Sequence, residues 1–108
     1  MSVSDADIAF AIDLFAPLGG LSSRKMFGGL MIYHDGQAFC LLSSSGILHL
    51  KAKGRLADDM TAQGARQFSP VMKNGKGHNM GYWTLPDAAL DDPDEAMIWA
   101  RRALDELT

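Results

Sequence analysis

Leu30-Met31-Ile32-Tyr33-His34-Asp35-Gly36-Gln37-Ala38-Phe39-Cys40-Leu41-Leu42 is the stretch that decides the architecture. Two apolar runs of strand length flank a short polar break. Asp-Gly inside that break favours the positive backbone angles of a tight hairpin. The chain therefore doubles back as an antiparallel pair, without a helical crossover. Downstream, Ser43-Ser44-Ser45-Gly46 reads as a second turn. Ile47-Leu48-His49-Leu50-Lys51 then alternates, with Leu48 and Leu50 on one side and Ile47, His49 and Lys51 on the other. Upstream, Ser23-Arg24-Lys25-Met26-Phe27 reads as a short strand that sends Met26 and Phe27 into the core, and Gly28-Gly29 as a bend or bulge. The predicted product is a meander with one face against helices.

The flanks supply those helices. Ser4 can cap a first helix, with Asp7 three residues on in the position of a capping-box acid. Ile8, Ala11, Ile12 and Phe15 make its apolar face; Phe10, Leu14 and Leu18 widen it, which predicts a well-covered helix ended by Pro17, Gly19 and Gly20. Leu56 to Gln63 reads as a short helix stopped by Gly64. Gln67-Phe68-Ser69-Pro70 starts an extended segment, and Lys73-Asn74-Gly75-Lys76-Gly77 is a turn. In the strand Met80-Gly81-Tyr82-Trp83-Thr84-Leu85, Met80, Tyr82 and Thr84 share one face and Gly81, Trp83 and Leu85 the other. Pro86 to Leu90 is one helical turn. Asp92 can then cap a helix with Pro93 at its first position and an apolar stripe of Ala96, Trp99, Ala100, Ala103, Leu104 and Leu107. The order of elements predicts an α+β fold, a two-layer antiparallel sheet with helices packed on one face, as a single domain over residues 1–108.

Composition narrows the function. Hydrophobic residues make up 47% and charged residues 21%, as expected of a folded globular chain. The net charge of −3 disfavours a strongly basic nucleic-acid binder. No apolar run approaches the ~18 residues needed to span a bilayer, and residues 1–5 lack the pattern of a cleaved signal. A lone cysteine, Cys40, rules out an internal disulfide and fits a reducing, cytoplasmic setting. Most of the seven methionines stand beside other apolar residues and read as core filling. Charge is unevenly placed: residues 51–86 hold six bases against two acids, between two acidic ends.

No catalytic or metal-ligating pattern emerges, and no cofactor is expected. His34, Cys40, His49 and His78 have no recognised ligand spacing. Cys40 and His49 lie on adjacent predicted strands, yet the apolar neighbours of Cys40 oppose a reactive thiolate. Asp91, Asp92, Asp94 and Glu95 gather where a helix dipole favours acids. Gly75-Lys76-Gly77 lacks the spacing of a phosphate loop. What remains is a docking surface: Arg24, Lys25, Lys51, Lys53, Arg55, Lys73 and Lys76, with Tyr82 as an aromatic contact if its sheet face is open. The expected function is a non-catalytic protein-interaction domain. The alternatives are direct nucleic-acid binding through the same basic stretch, or an unrecognised small-ligand pocket or active site. An unpaired sheet edge would also let two copies associate.

Several segments, in order and spacing, resemble one family. They are Arg24-Lys25-Met26-Phe27-Gly28-Gly29, Leu48-His49-Leu50-Lys51, Met80-Gly81-Tyr82-Trp83-Thr84-Leu85-Pro86, Leu90-Asp91-Asp92-Pro93-Asp94-Glu95 and Trp99-Ala100-Arg101-Arg102-Ala103-Leu104. The chain from about Ser4 to Leu107 is similar to the TfoX (Sxy) N-terminal-domain family. The resemblance implies a secretion-chaperone-like fold and a regulatory role in natural competence, promoting transcription of DNA-uptake genes with the cAMP receptor protein as partner. Full-length members carry a second, C-terminal domain; this sequence matches the first. His49 stands where the family commonly has an aromatic such as Tyr, and Gly81 where Ser is common.

Overall fold

A computed structural model describes residues 3–26, 28–68 and 81–107. Helix α1 runs Asp5–Phe15, followed by a 3-10 turn at Ala16–Leu18. Strands β1 (Leu21–Met26), β2 (Gly29–His34), β3 (Gln37–Leu42) and β4 (Leu48–Lys51) come next. Helix α2 (Gly54–Ala62), strand β5 (Tyr82–Thr84), the short helix α3 (Asp87–Leu90) and helix α4 (Pro93–Leu107) complete the order. The five strands form one antiparallel sheet in the order β1-β2-β3-β4-β5. Among the described residues no helix is long and apolar enough to cross a membrane.

The helix starts follow the sequence signals. Ser4 accepts the Asp7 backbone N–H in front of α1, at 3.1 Å. One Asp92 carboxylate oxygen accepts the N–H groups of Asp94 and Glu95, ahead of Pro93. These caps satisfy donors that a helix start would leave bare.

The central hairpin turns through two residues, since His34 pairs with Gln37. Asp35 and Gly36 have φ of 49° and 84°, the doubly positive geometry that Asp-Gly supplies. The register then slips between Ile32 and Tyr33, so that Cys40 opposes Ile32 but Ala38 opposes Tyr33. Phe39 is the extra residue of this bulge. Consecutive strand residues normally face opposite ways; here Phe39 and Cys40 both join the core on the helix side, and neither is exposed. The Phe39 ring meets Phe15 edge-on, with centroids 5.4 Å apart.

That main core is closed by α1, α2 and α4. Ala96, Ala100 and Ala103 let α4 lie close on the sheet, and Trp99 fills the remaining volume, its indole N–H donating to Glu95 at 3.2 Å. Arg102 of α4 meets Asp59 of α2 at 2.6 Å.

Three expectations are corrected. Phe10 is not covered but 48% exposed; it precedes Ala11 by one residue, about 100° round the helix from the face held by Ala11, Leu14 and Phe15. The first strand starts two residues earlier than predicted, at Leu21. Met26 packs not in the main core but in a cluster on the opposite sheet face, while Phe27 lies outside the described residues. That cluster, Met31, Leu41 and Tyr82, means that the face turned away from the helices is also apolar and covered. The turn expected at residues 73–77 lies outside the described residues; at Gln67 the extended segment bridges to Trp83.

Candidate functional site

Cys40 and His49 do not form a pair. Cys40 opposes Leu50, whereas His49 opposes Leu41, so their side chains stand on opposite faces of the sheet. Cys40 is fully buried, and burial pushes its thiol far above the ordinary range, against a smaller opposing effect from a hydrogen bond with the His49 backbone. A group so held has neither thiolate nor access. Native protein is expected to react with a thiol reagent such as Ellman's reagent ~10³-fold or more slowly than denatured protein, because reaction waits for opening. Fast stoichiometric labelling under native conditions contradicts this.

His49 is 5% exposed and lies edge-on to Phe68, centroids 5.0 Å apart. Its Nδ1 sits 3.3 Å from the Leu41 carbonyl oxygen. Burial lowers its pKa from 6.5, with hydrogen bonds to the Leu41 and Ile47 backbones opposing. Below pH 6.5 the unfolded chain therefore takes up a proton that the folded chain resists. Stability is full above that pH and falls on acidification, by at most about 1.4 kcal/mol per pH unit from this group. Urea titrations near pH 7.5 and pH 5 are expected to show a smaller acid loss for His49→Phe than for the parent. An equal loss in both removes His49 as the cause.

The other candidates for chemistry have structural work. His34 holds the hairpin, its Nδ1 2.7 Å from the Gly19 carbonyl oxygen and its Nε2 3.3 Å from Asp35. Asp92 and Glu95 are engaged at the start of α4 as described. Among the described residues no group of three His, Cys, Asp or Glu side chains is placed to hold a metal ion; His78 lies outside them.

Tyr82 is a correction. The condition for its being a surface contact, an open sheet face, is not met: it is 2% exposed, and its hydroxyl donates to the Met31 sulfur at 3.2 Å. Burial, more than its neighbours, holds its phenol up at about 12. The aromatic therefore joins the sheet-face cluster and offers nothing to a partner.

The basic residues separate into two groups. Lys51, Lys53 and Arg55 lie at the junction of β4 and α2, with the Lys51 ammonium 5.7 Å from the centre of the Tyr82 ring. Lys53 and Arg55 are exposed. Arg24 and Lys25 lie on β1, three strands from β4, roughly 14 Å across the sheet. Arg24 opposes Met31 and Lys25 opposes Leu30, so the two cations leave the edge on opposite faces. Lys73 and Lys76 fall outside the described residues.

The sequence alone does not show how the backbone between Leu21 and Met26 is used. The Gly20 carbonyl takes the Asp35 N–H at 3.0 Å, which sets the alternation of the β1–β2 ladder. Ser22, Arg24 and Met26 then bond inward, and Leu21, Ser23 and Lys25 turn their N–H and C=O groups outward. β1 is an edge strand, and Ser22 to Lys25 are all exposed. The alternation of an edge is legible only once strand order is known.

A five-stranded antiparallel meander carrying helices on one face, with a basic edge strand, defines a two-layer α+β protein. The chain belongs to the TfoX N-terminal domain family, whose model matches residues 13–107. No curated protein matches the chain.

Proposed function

We propose that this protein is a non-catalytic regulatory domain that works by docking on a protein partner through its β1 edge. The observation that carries the reading is the row of outward N–H and C=O groups at Leu21, Ser23 and Lys25, flanked by two exposed cations. Such an edge accepts an added strand, and Arg24 with Lys25 favours an acidic segment. Family membership supports a competence-related regulatory role. By family resemblance the partner is transcription-related, with the cAMP receptor protein the first to test, and the site of action is the cytoplasm. The separation of Arg24 and Lys25 from Lys51, Lys53 and Arg55 leaves no continuous basic stripe among the described residues, which weighs against nucleic acid as the direct ligand.

Two variants test the reading. Ser23→Pro deletes an outward N–H at a position where an edge strand tolerates proline. Arg24→Glu with Lys25→Glu reverses the charge. Both are expected to keep the parent circular dichroism spectrum, to lose capture of the cAMP receptor protein and to lower transcripts of DNA-uptake genes to the level of a deletion strain. Parent-like capture and transcript levels in both variants would sink the proposal.

A further inference from the structure

Among the described residues, the large apolar side chains left exposed are Phe10, Ile47 and Ile98. Two of them meet. Phe10, 48% exposed, and Ile47, 45% exposed, line one groove of about 530 Å³. It lies between α1, the turn that precedes β4, the end of β5 and α3. Leu90 adds to its apolar floor, and an adjoining hollow of about 280 Å³ shares Phe10, Leu90 and Asp91 and adds Asp13.

The rim is predominantly acidic. Asp7, Asp87 and Asp91 line the groove and Asp13 its extension, against the single base Arg66. One wall is fixed closely: a side chain added at Gly46 would stand 2.6 Å from the Asp7 carboxylate, and Gly46 itself has φ of 83°. The turn thus packs directly on Asp7 and holds that acid beside Ile47. Acids at the start of α1 and α3 suit the helix dipoles, but the dipoles do not explain two large apolar side chains left in water between them.

We infer that this groove docks a basic, apolar-anchored segment of a protein partner. One aliphatic or aromatic side chain would seat between Phe10 and Ile47, and lysine or arginine heads would reach Asp7, Asp87 and Asp91. Charge complementarity selects the occupant: carboxylates repel nucleic acid and anionic lipid, and a cationic segment with an apolar anchor satisfies rim and floor together. The groove shares no residue with β1 and is opposite to it in charge, so the inference stands apart from the edge-docking reading.

The test is a backbone amide NMR titration of the full chain with a synthetic peptide of lysine and leucine at helical spacing. A glutamate–leucine peptide of the same pattern is the control. Saturable shifts are expected at Phe10, Ile47, Arg66 and Leu90 with the lysine peptide and none with the glutamate peptide. Phe10→Ser and Ile47→Ser are each expected to weaken binding about tenfold with the spectrum otherwise unchanged. Asp87→Asn together with Asp91→Asn is expected to flatten the salt dependence. Shifts centred on Ser22 to Lys25, equal binding of both peptides, unaltered affinity in Phe10→Ser, or no saturation up to about 1 mM overturns the inference. So does a dimer that Phe10→Ser dissociates while the peptide causes no shift, which would make a second copy the occupant.

Discussion

Gly29→Ala is expected to remove a large share of the protein's stability, a loss of ~3–5 kcal/mol against the ~5–15 kcal/mol typical of a small domain. The reason is close approach, not backbone angle, since Gly29 lacks the positive φ of its neighbour Gly28. A methyl group at Gly29 would fall on the Leu42 carbonyl oxygen and within 3.0 Å of the Ser43 carbonyl carbon. These are backbone atoms of the adjacent strand region, so no side chain can rotate away. Relief requires β2 and β3 to part at the pair Leu30–Leu42, both of which are buried in the main core. Thermal melting followed by circular dichroism reads the effect. A midpoint within a few degrees of the parent would show that the strands yield cheaply there.

Phe39→Ala is expected to cost ~3–5 kcal/mol, by loss of buried area and by the cavity left behind. Phe39 is fully buried at the bulge, where its ring abuts Phe15. The bulge makes the site stiff: Cys40, the next residue, points the same way and cannot move in without breaking its pairing with Leu50. Phe39→Leu, which fills more of the space, is expected to lose less than half as much. Urea denaturation with an unchanged slope and a lowered midpoint is the expected signature. A midpoint shift for Phe39→Ala no larger than that for Phe39→Leu would mean that the neighbours close the cavity.

The parts of the fold that could be read in advance were those set by local chemistry. Asp35-Gly36 specified a two-residue turn because both positions need positive φ, and they have it. Asp92-Pro93 specified the start of α4 because cap and first turn lie within four residues. Alternation placed Leu48 and Leu50 in the main core and His49 on the other face. The bulge at Phe39 left no such trace; the ring it seats in the core meets Phe15, a residue of α1 remote in sequence. Tyr82 shows the same limit from the other side. Its face of the strand was legible, but its burial depends on Leu41 and Met31, two and three strands away. The candidate surface was legible as charge at Arg24 and Lys25. Its geometry was not, because which backbone groups point outward depends on strand order and register. Phe10 and Ile47 belong to separate local patterns, and only the tertiary arrangement brings them to one groove.

Helix α2 has no side-chain cap of its own at Lys53. The Lys53 backbone N–H is instead received by the Glu106 carboxylate at 3.1 Å, from the far end of α4. A helix in the middle of the chain thus borrows its stopper from a residue 53 positions later. During synthesis, α2 has its leading turn unsealed until residue 106 has been made and has emerged from the ribosome. Full order in α2 therefore depends on α4 being in place.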